Sequence, residues 1–192
     1  MRTKNFILLI SAIVMLTASC ATTQTPEPRE ADWKETLETD LHLLGHRNWI
    51  LVVDKAFPEQ SSAGMKYIYV DEDILPTLQH VLKQVESSVH VKPIIYRDRE
   101  LSYITEEQVP GIEVFRNEST QLLAGRSVNT LLHDEVFGML DESASLFRVL
   151  VIKTNCAIPY TSFFLQMDCA YWNGDQERVL RETMASDQEP VQ

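Results

Sequence analysis

Glycine is scarce in this chain, with six residues in 192, and cysteine is scarcer still, with three. No Gly-rich phosphate loop, dinucleotide fingerprint or nucleophile elbow can be found. No Cys-x-x-Cys pair is present, which removes a common redox and metal-binding motif. Cations are in short supply too: 17 Lys and Arg face 28 Asp and Glu, for a formal net charge of -11. Binding to nucleic acid needs clustered Lys and Arg against the phosphates, so nucleic acid is excluded as a partner. The acidity itself mainly means solubility.

What is present begins with a targeting pattern. Arg2 and Lys4 precede an apolar run, Phe6 to Leu16, of signal-peptide length and too short for a comfortable membrane span. Leu16-Thr17-Ala18-Ser19-Cys20 resembles a bacterial lipoprotein box, with Thr17 at the position where Leu is expected. Residues 1–19 therefore read as a lipoprotein signal peptide and Cys20 as the lipidation site. Ordinary secretion with cleavage near the same small residues is the alternative. Ala21 after the cysteine, by resemblance to enterobacterial sorting, implies the outer membrane, facing the periplasm. Residues 20–30, rich in Thr, Pro, Gln and Glu, read as a tether. An exported protein meets an oxidising compartment. Cys156 and Cys169 then either form a disulfide or stay as free, buried thiols on neighbouring strands.

The remainder, residues 31–174, reads as one domain large enough for a real core. Asp32 can cap a helix whose Trp33, Leu37, Leu41 and Leu44 fall at helical spacing, with Gly45 as its stop. Trp49 to Val53 is a continuous apolar run, typical of a strand covered on both faces. Met65 to Val70 suggests a short strand. Asp73 caps a second helix with a stripe of Ile74, Leu78, Val81, Leu82 and Val85. His90 to Tyr96 reads as a strand, with Pro93 indicating an edge or bulge. A polar loop follows, then a helix over Ile112 to Ala124, a strand at Val128 to Leu132 and a helix over Asp134 to Ala144. Strands at Leu146 to Ile152 and Phe163 to Met167 complete the pattern. Alternating strands and helices give an α/β fold: a single three-layer domain with a mixed sheet covered by helices. Residues 175–192 read as a charged, loose tail.

Few polar clusters suggest chemistry. His42 and His46 stand four apart, but Gly45 lies between them and no zinc-protease glutamate accompanies them, so no metal is expected. His133-Asp134-Glu135 reads as a helix cap. His80 falls within a helix and reads as structural. His46 and Asp54 differ by position: they flank one apolar strand, and both could reach a cavity at neighbouring edges of the sheet.

Those residues carry a resemblance. Gly45-His46, the apolar strand, then Asp54-x-x-Phe57-Pro58-x-x-Ser61 resembles the ribose pyranase and fucose mutarotase (RbsD/FucU-like) family. Pro159-Tyr160-Thr161-Ser162-Phe163-Phe164-Leu165 resembles its Tyr-x-Asn motif and following strand. Asn48 stands where that family has Asp, Lys55 replaces a small residue, and Ser162 replaces Asn. A gapless reading puts Val136 and Leu140 at the family's further pocket positions; a shifted one brings in His133 or Asp134.

The resemblance implies a monosaccharide mutarotase or pyranase that interconverts cyclic sugar forms by acid/base ring opening without a cofactor. His46 and Tyr160 would be catalytic, and Asp54 and Ser162 substrate-binding. It also implies a homo-oligomer. The alternative is a non-catalytic sugar-binding or structural envelope lipoprotein of the same fold.

Overall fold

The computed structural model describes residues 32–187. Cys20, the signal peptide and the whole tether lie outside that range. Six strands form one mixed sheet: β1 Trp49–Val53, β2 Met65–Tyr69, β3 Val91–Asp98, β4 Val128–Leu131, β5 Val149–Lys153 and β6 Phe163–Cys169, in the spatial order β2-β5-β1-β6-β3-β4. β1 pairs in parallel with β5, β5 with β2, and β3 with β4. β6 is antiparallel to both of its neighbours. The C-terminal ends of five strands and the start of β6 therefore share one edge of the sheet. That edge is where open α/β sheets usually place ligands.

Helices make the outer layers. α1 (Trp33–Leu41), α2 (Ile74–Glu86) and α3 (Ile112–Leu122) cover one face, and α4 (His133–Leu146) covers the other. β1 is buried at every position, with Ile50 and Val52 in the larger core and Trp49, Leu51 and Val53 in the smaller. This is the two-sided burial that a run of five apolar residues predicts. Trp49 satisfies its indole N–H on the Ser143 hydroxyl of α4 at 3.0 Å. Gly64 is forced by packing, since a Cβ there would fall 2.3 Å from the Ala144 carbonyl oxygen.

Three expectations change. The tail from residue 175 is largely helical: α5 spans Gly174–Ser186. Asn173 caps it in a reciprocal pair with Gln176. Arg178–Glu182 and Glu177–Arg181 pairs brace it at i,i+4 spacing. β3 is an interior strand, yet β4 pairs with it only from Ile95 onward. Pro93 thus sits where β3 has β6 alone as neighbour, which is why its missing N–H is tolerated. The disulfide does not form. Cys156 and Cys169 are free, because Cys156 precedes β6 at one edge of the sheet while Cys169 ends it at the other. Seven residues of strand separate the two by roughly 20 Å, against a limit of ~7 Å between bridged Cα atoms.

Candidate functional site

The shared edge gathers polar groups from four segments. Asp54 follows β1, Asp98 ends β3, His133 opens α4 just after β4, and Tyr160 to Ser162 lead into β6. The Lys55 N–H donates to the Cys156 carbonyl at 2.8 Å, tying the loop after β1 to the loop after β5. Asp54, Ala56, Phe57, Pro58, His133, Phe137, Pro159 and Tyr160 line a pocket of about 250 Å³.

Asp54 is held on both oxygens. The Ala56 N–H donates to Oδ1 at 2.9 Å, and the Ser162 hydroxyl donates to Oδ2 at 2.9 Å. The Asp54 N–H donates in turn to Ser162 Oγ at 3.2 Å. Ser162, expected as a substrate-binding residue, is buried, and its hydroxyl is engaged in holding Asp54. Tyr160 adopts a left-handed backbone with φ of 57°, unusual for a bulky residue. Its ring meets His133 edge-on, with centroids 5.3 Å apart.

Sequence reasoning passed over Asp98, and it reached His133 only through the shifted register. Asp98 Oδ2 lies 3.2 Å from His133 Nδ1, a close contact short of an aligned hydrogen bond. The Asp98 side chain is 1% exposed and that of His133 39%. Burial pushes the Asp98 carboxyl up to about 6; His133 beside it pulls the other way, while Glu100 and Asp54 add to the rise. Glu100 fixes the helix start, accepting the His133 N–H on both oxygens at 3.1 and 3.2 Å. The cap reading of this cluster was therefore sound for the backbone, with Glu135 accepting the Leu132 N–H at 2.9 Å. It missed the imidazole, which faces the pocket. Of the two registers for the further pocket positions, the gapless one lands on Val136 and Leu140, both core residues. The shifted one brings in His133, which lines the pocket, or Asp134, which does not.

His46 is not in this pocket. It precedes β1, and about 16 Å of strand separates it from Asp54. Its Nδ1 lies 3.2 Å from Asp168 Oδ1 at the far end of β6, where Lys92 Nζ approaches Oδ2 at 3.3 Å. The framing of one strand by His and Asp put them at opposite edges of the sheet, not neighbouring ones. Asn48 is a turn residue: it accepts the Gly45 N–H at 2.7 Å and donates to the Arg148 carbonyl at 3.2 Å. Among the described residues, no three His, Cys, Asp or Glu side chains gather to hold a metal.

No family model matches the chain, and no curated protein matches it. Solved structures do. The chain is similar to RbsD of Bacillus subtilis, solved with D-ribose, at 19% identity and a TM-score of 0.49, covering 68% of this chain and 89% of that one. It is similar to the fucose mutarotase of Streptococcus pneumoniae, solved with L-fucose, at 17% identity and a TM-score of 0.49, covering 74% and 96%. FucU of Bifidobacterium longum matches at 14% identity and a TM-score of 0.47, covering 68% and 91%. The two sequence motifs resemble the same family.

Proposed function

We propose that the pocket binds a free monosaccharide and speeds exchange between its cyclic forms. One observation carries this reading: an imidazole backed by a buried carboxylate, a tyrosine and a second carboxylate all border one small pocket. Opening a hemiacetal ring needs one proton taken from the anomeric hydroxyl and one delivered to the ring oxygen, while the C1–O bond breaks and C1 becomes a carbonyl. No electrons leave the sugar. With Nδ1 carrying its hydrogen toward Asp98, His133 has Nε2 free as the proton acceptor. Tyr160, its ring packed against His133, supplies a hydroxyl to the ring oxygen. Asp54 accepts hydrogen bonds from sugar hydroxyls on its remaining lone pairs. Reclosure on either face of the carbonyl gives the other anomer.

His46 joins this chemistry only if a second copy of the chain brings it there, since one protomer holds the two ends of β1 apart. That version requires an oligomer, and light scattering on the purified protein tests it: a strict monomer at micromolar concentration removes it. The attachment of the domain to the outer membrane through a lipid on Cys20 is part of the same proposal, supported by the charged start, the apolar run and Ala18-Ser19-Cys20. Mass spectrometry of the membrane fraction should find a diacylglyceryl-modified Cys20 as the mature N-terminus. A soluble periplasmic chain starting elsewhere rejects it.

The activity is read by exchange NMR on D-ribose, L-fucose and a panel of free sugars, with no coupling enzymes. Exchange faster than buffer for at least one sugar is the expected result. Binding with no acceleration leaves the domain a sugar-binding lipoprotein.

A further inference from the structure

The pocket is walled by rings in an unbroken series. Phe57 stacks on Phe137 with centroids 5.4 Å apart, Phe137 meets His133 at 4.6 Å, and His133 meets Tyr160 at 5.3 Å. Asp54 is the charged residue that lines the same pocket, and neither Lys nor Arg lines it. Lys55 lines an adjoining hollow of about 300 Å³ that shares Asp54, Ala56 and Pro159 with the pocket, and it is not itself among the pocket's lining residues. The ammonium of Lys153 is taken up by the Phe57 carbonyl at 2.8 Å.

This lining is poor in what an anionic sugar requires. A phosphate or uronate carboxylate would meet Asp54 with no cation to receive it. A neutral sugar would find ring surface for its C–H edges and Asp54 as acceptor for its hydroxyls, but it would leave the carboxylate's charge without a counter-charge. Aromatic faces carry negative quadrupole density, and a carboxylate beside them completes a setting that favours a cation. We infer that the preferred substrate is an amino sugar with a free, protonated amine, its ammonium held between Asp54 and the ring wall. The inference rests on the monosaccharide reading and sharpens it.

Calorimetric titration of the purified full chain at pH 7 tests it with matched probes: D-glucosamine, D-glucose, N-acetyl-D-glucosamine and D-glucose 6-phosphate, with the corresponding galactose series alongside. The amine should bind roughly tenfold or more tighter than its neutral and acetylated counterparts, the scale of a desolvated cation–π contact plus an ion pair. The phosphate should bind weakest. Asp54→Asn keeps the shape and should shrink the preference to about twofold or less. Phe137→Leu keeps an apolar wall without the ring and should weaken amine binding more than neutral-sugar binding. If that variant melts early, Asp54→Asn alone decides. Equal binding of amine, neutral and acetylated sugars overturns the inference and leaves the mutarotase reading standing. Absence of binding by every sugar in both series overturns the inference, and exchange NMR on D-ribose and L-fucose then decides the mutarotase reading by itself.

Discussion

The two ends of the sheet each hold a histidine against an aspartate at the same separation, 3.2 Å. They are not equivalent. At the Asp54 end the aspartate is sealed, with its side chain 1% exposed, while at the His46 end it is 29% exposed. Burial dominates Asp98 and pushes its carboxyl up to about 6. Asp168 is also partly buried, which alone would raise it. The Cys169 N–H, Lys92 and His46 outweigh that and leave its carboxyl below the ordinary range. An identical contact is thus sealed from water in one setting and partly solvated in the other. Dielectric and access set the difference, not the distance.

The sharpest way to break this comparison is to remove each histidine. His133→Ala should cost sugar exchange ~10²–10⁴-fold, the usual loss of a positioned acid/base group. His46→Ala in a monomeric preparation should change the rate by less than about twofold. The NMR exchange assay reads both. Equal losses would mean that the two ends meet in one pocket across copies, and light scattering on the same samples would then have to show the oligomer. Loss with His46→Ala alone would reject His133 as the acting group.

Removing each aspartate should separate stability from activity. For Asp98 the folded pKa of about 6 lies above the ordinary 3.8, so the folded state keeps a proton that the unfolded state has released. Stability from this group is full below about pH 4 and falls as pH rises toward 6. By linkage the loss approaches about 3 kcal/mol. Asp98→Asn should therefore flatten the pH dependence of urea unfolding between pH 4 and 7 and stabilise the fold at pH 7, while slowing exchange because His133 loses its anchor. Asp168 has the opposite sign: its depressed pKa adds stability above the ordinary carboxylate range, lost as pH falls through the folded value. The pair is partly exposed and screened, so Asp168→Asn should cost under about 1 kcal/mol. A destabilised Asp98→Asn at pH 7 would show that the carboxylate is better satisfied than its surroundings indicate.

The sequence made β1 legible because five apolar residues lie between a turn and a carboxylate. α2 was legible for the same reason, its stripe of Ile74, Leu78, Val81, Leu82 and Val85 lying wholly in the core. Strand order was not. β6 runs against its neighbours, and that reversal brings Tyr160 and Ser162 to the Asp54 edge. His133 hid behind a backbone role, since a polar residue at a helix start is usually a cap. Asp98 hid in what reads as a polar loop after Tyr96, whereas β3 runs on to Asp98 itself. Only the parallel pairing of β3 with β4 sets them side by side. α5 was missed because its apolar residues are few and none of its side chains is buried, so its helix rests on capping and i,i+4 pairs.

The smallest expected effect also comes in a matched pair. Each end of the sheet has a non-glycine residue in the left-handed region, Arg47 with φ of 75° and Tyr160 with φ of 57°. An L-residue pays about 1–2 kcal/mol there, and glycine almost none. Glycine also gains unfolded-state entropy, which offsets part of the relief. Arg47→Gly further gives up the guanidinium over the Phe147 ring, 5.8 Å from its centroid, an exposed contact of roughly 0.5 kcal/mol. The net expectation is a change within about 1 kcal/mol, on the stabilising side, with exchange unaffected. Tyr160→Gly relieves the same strain but deletes the hydroxyl and the ring that packs on His133. Its exchange rate should fall sharply while its urea midpoint stays near that of the native chain. A Tyr160→Gly protein that unfolds early would make the ring's packing its main contribution. A fully active one would remove Tyr160 from the chemistry and leave His133 to move both protons.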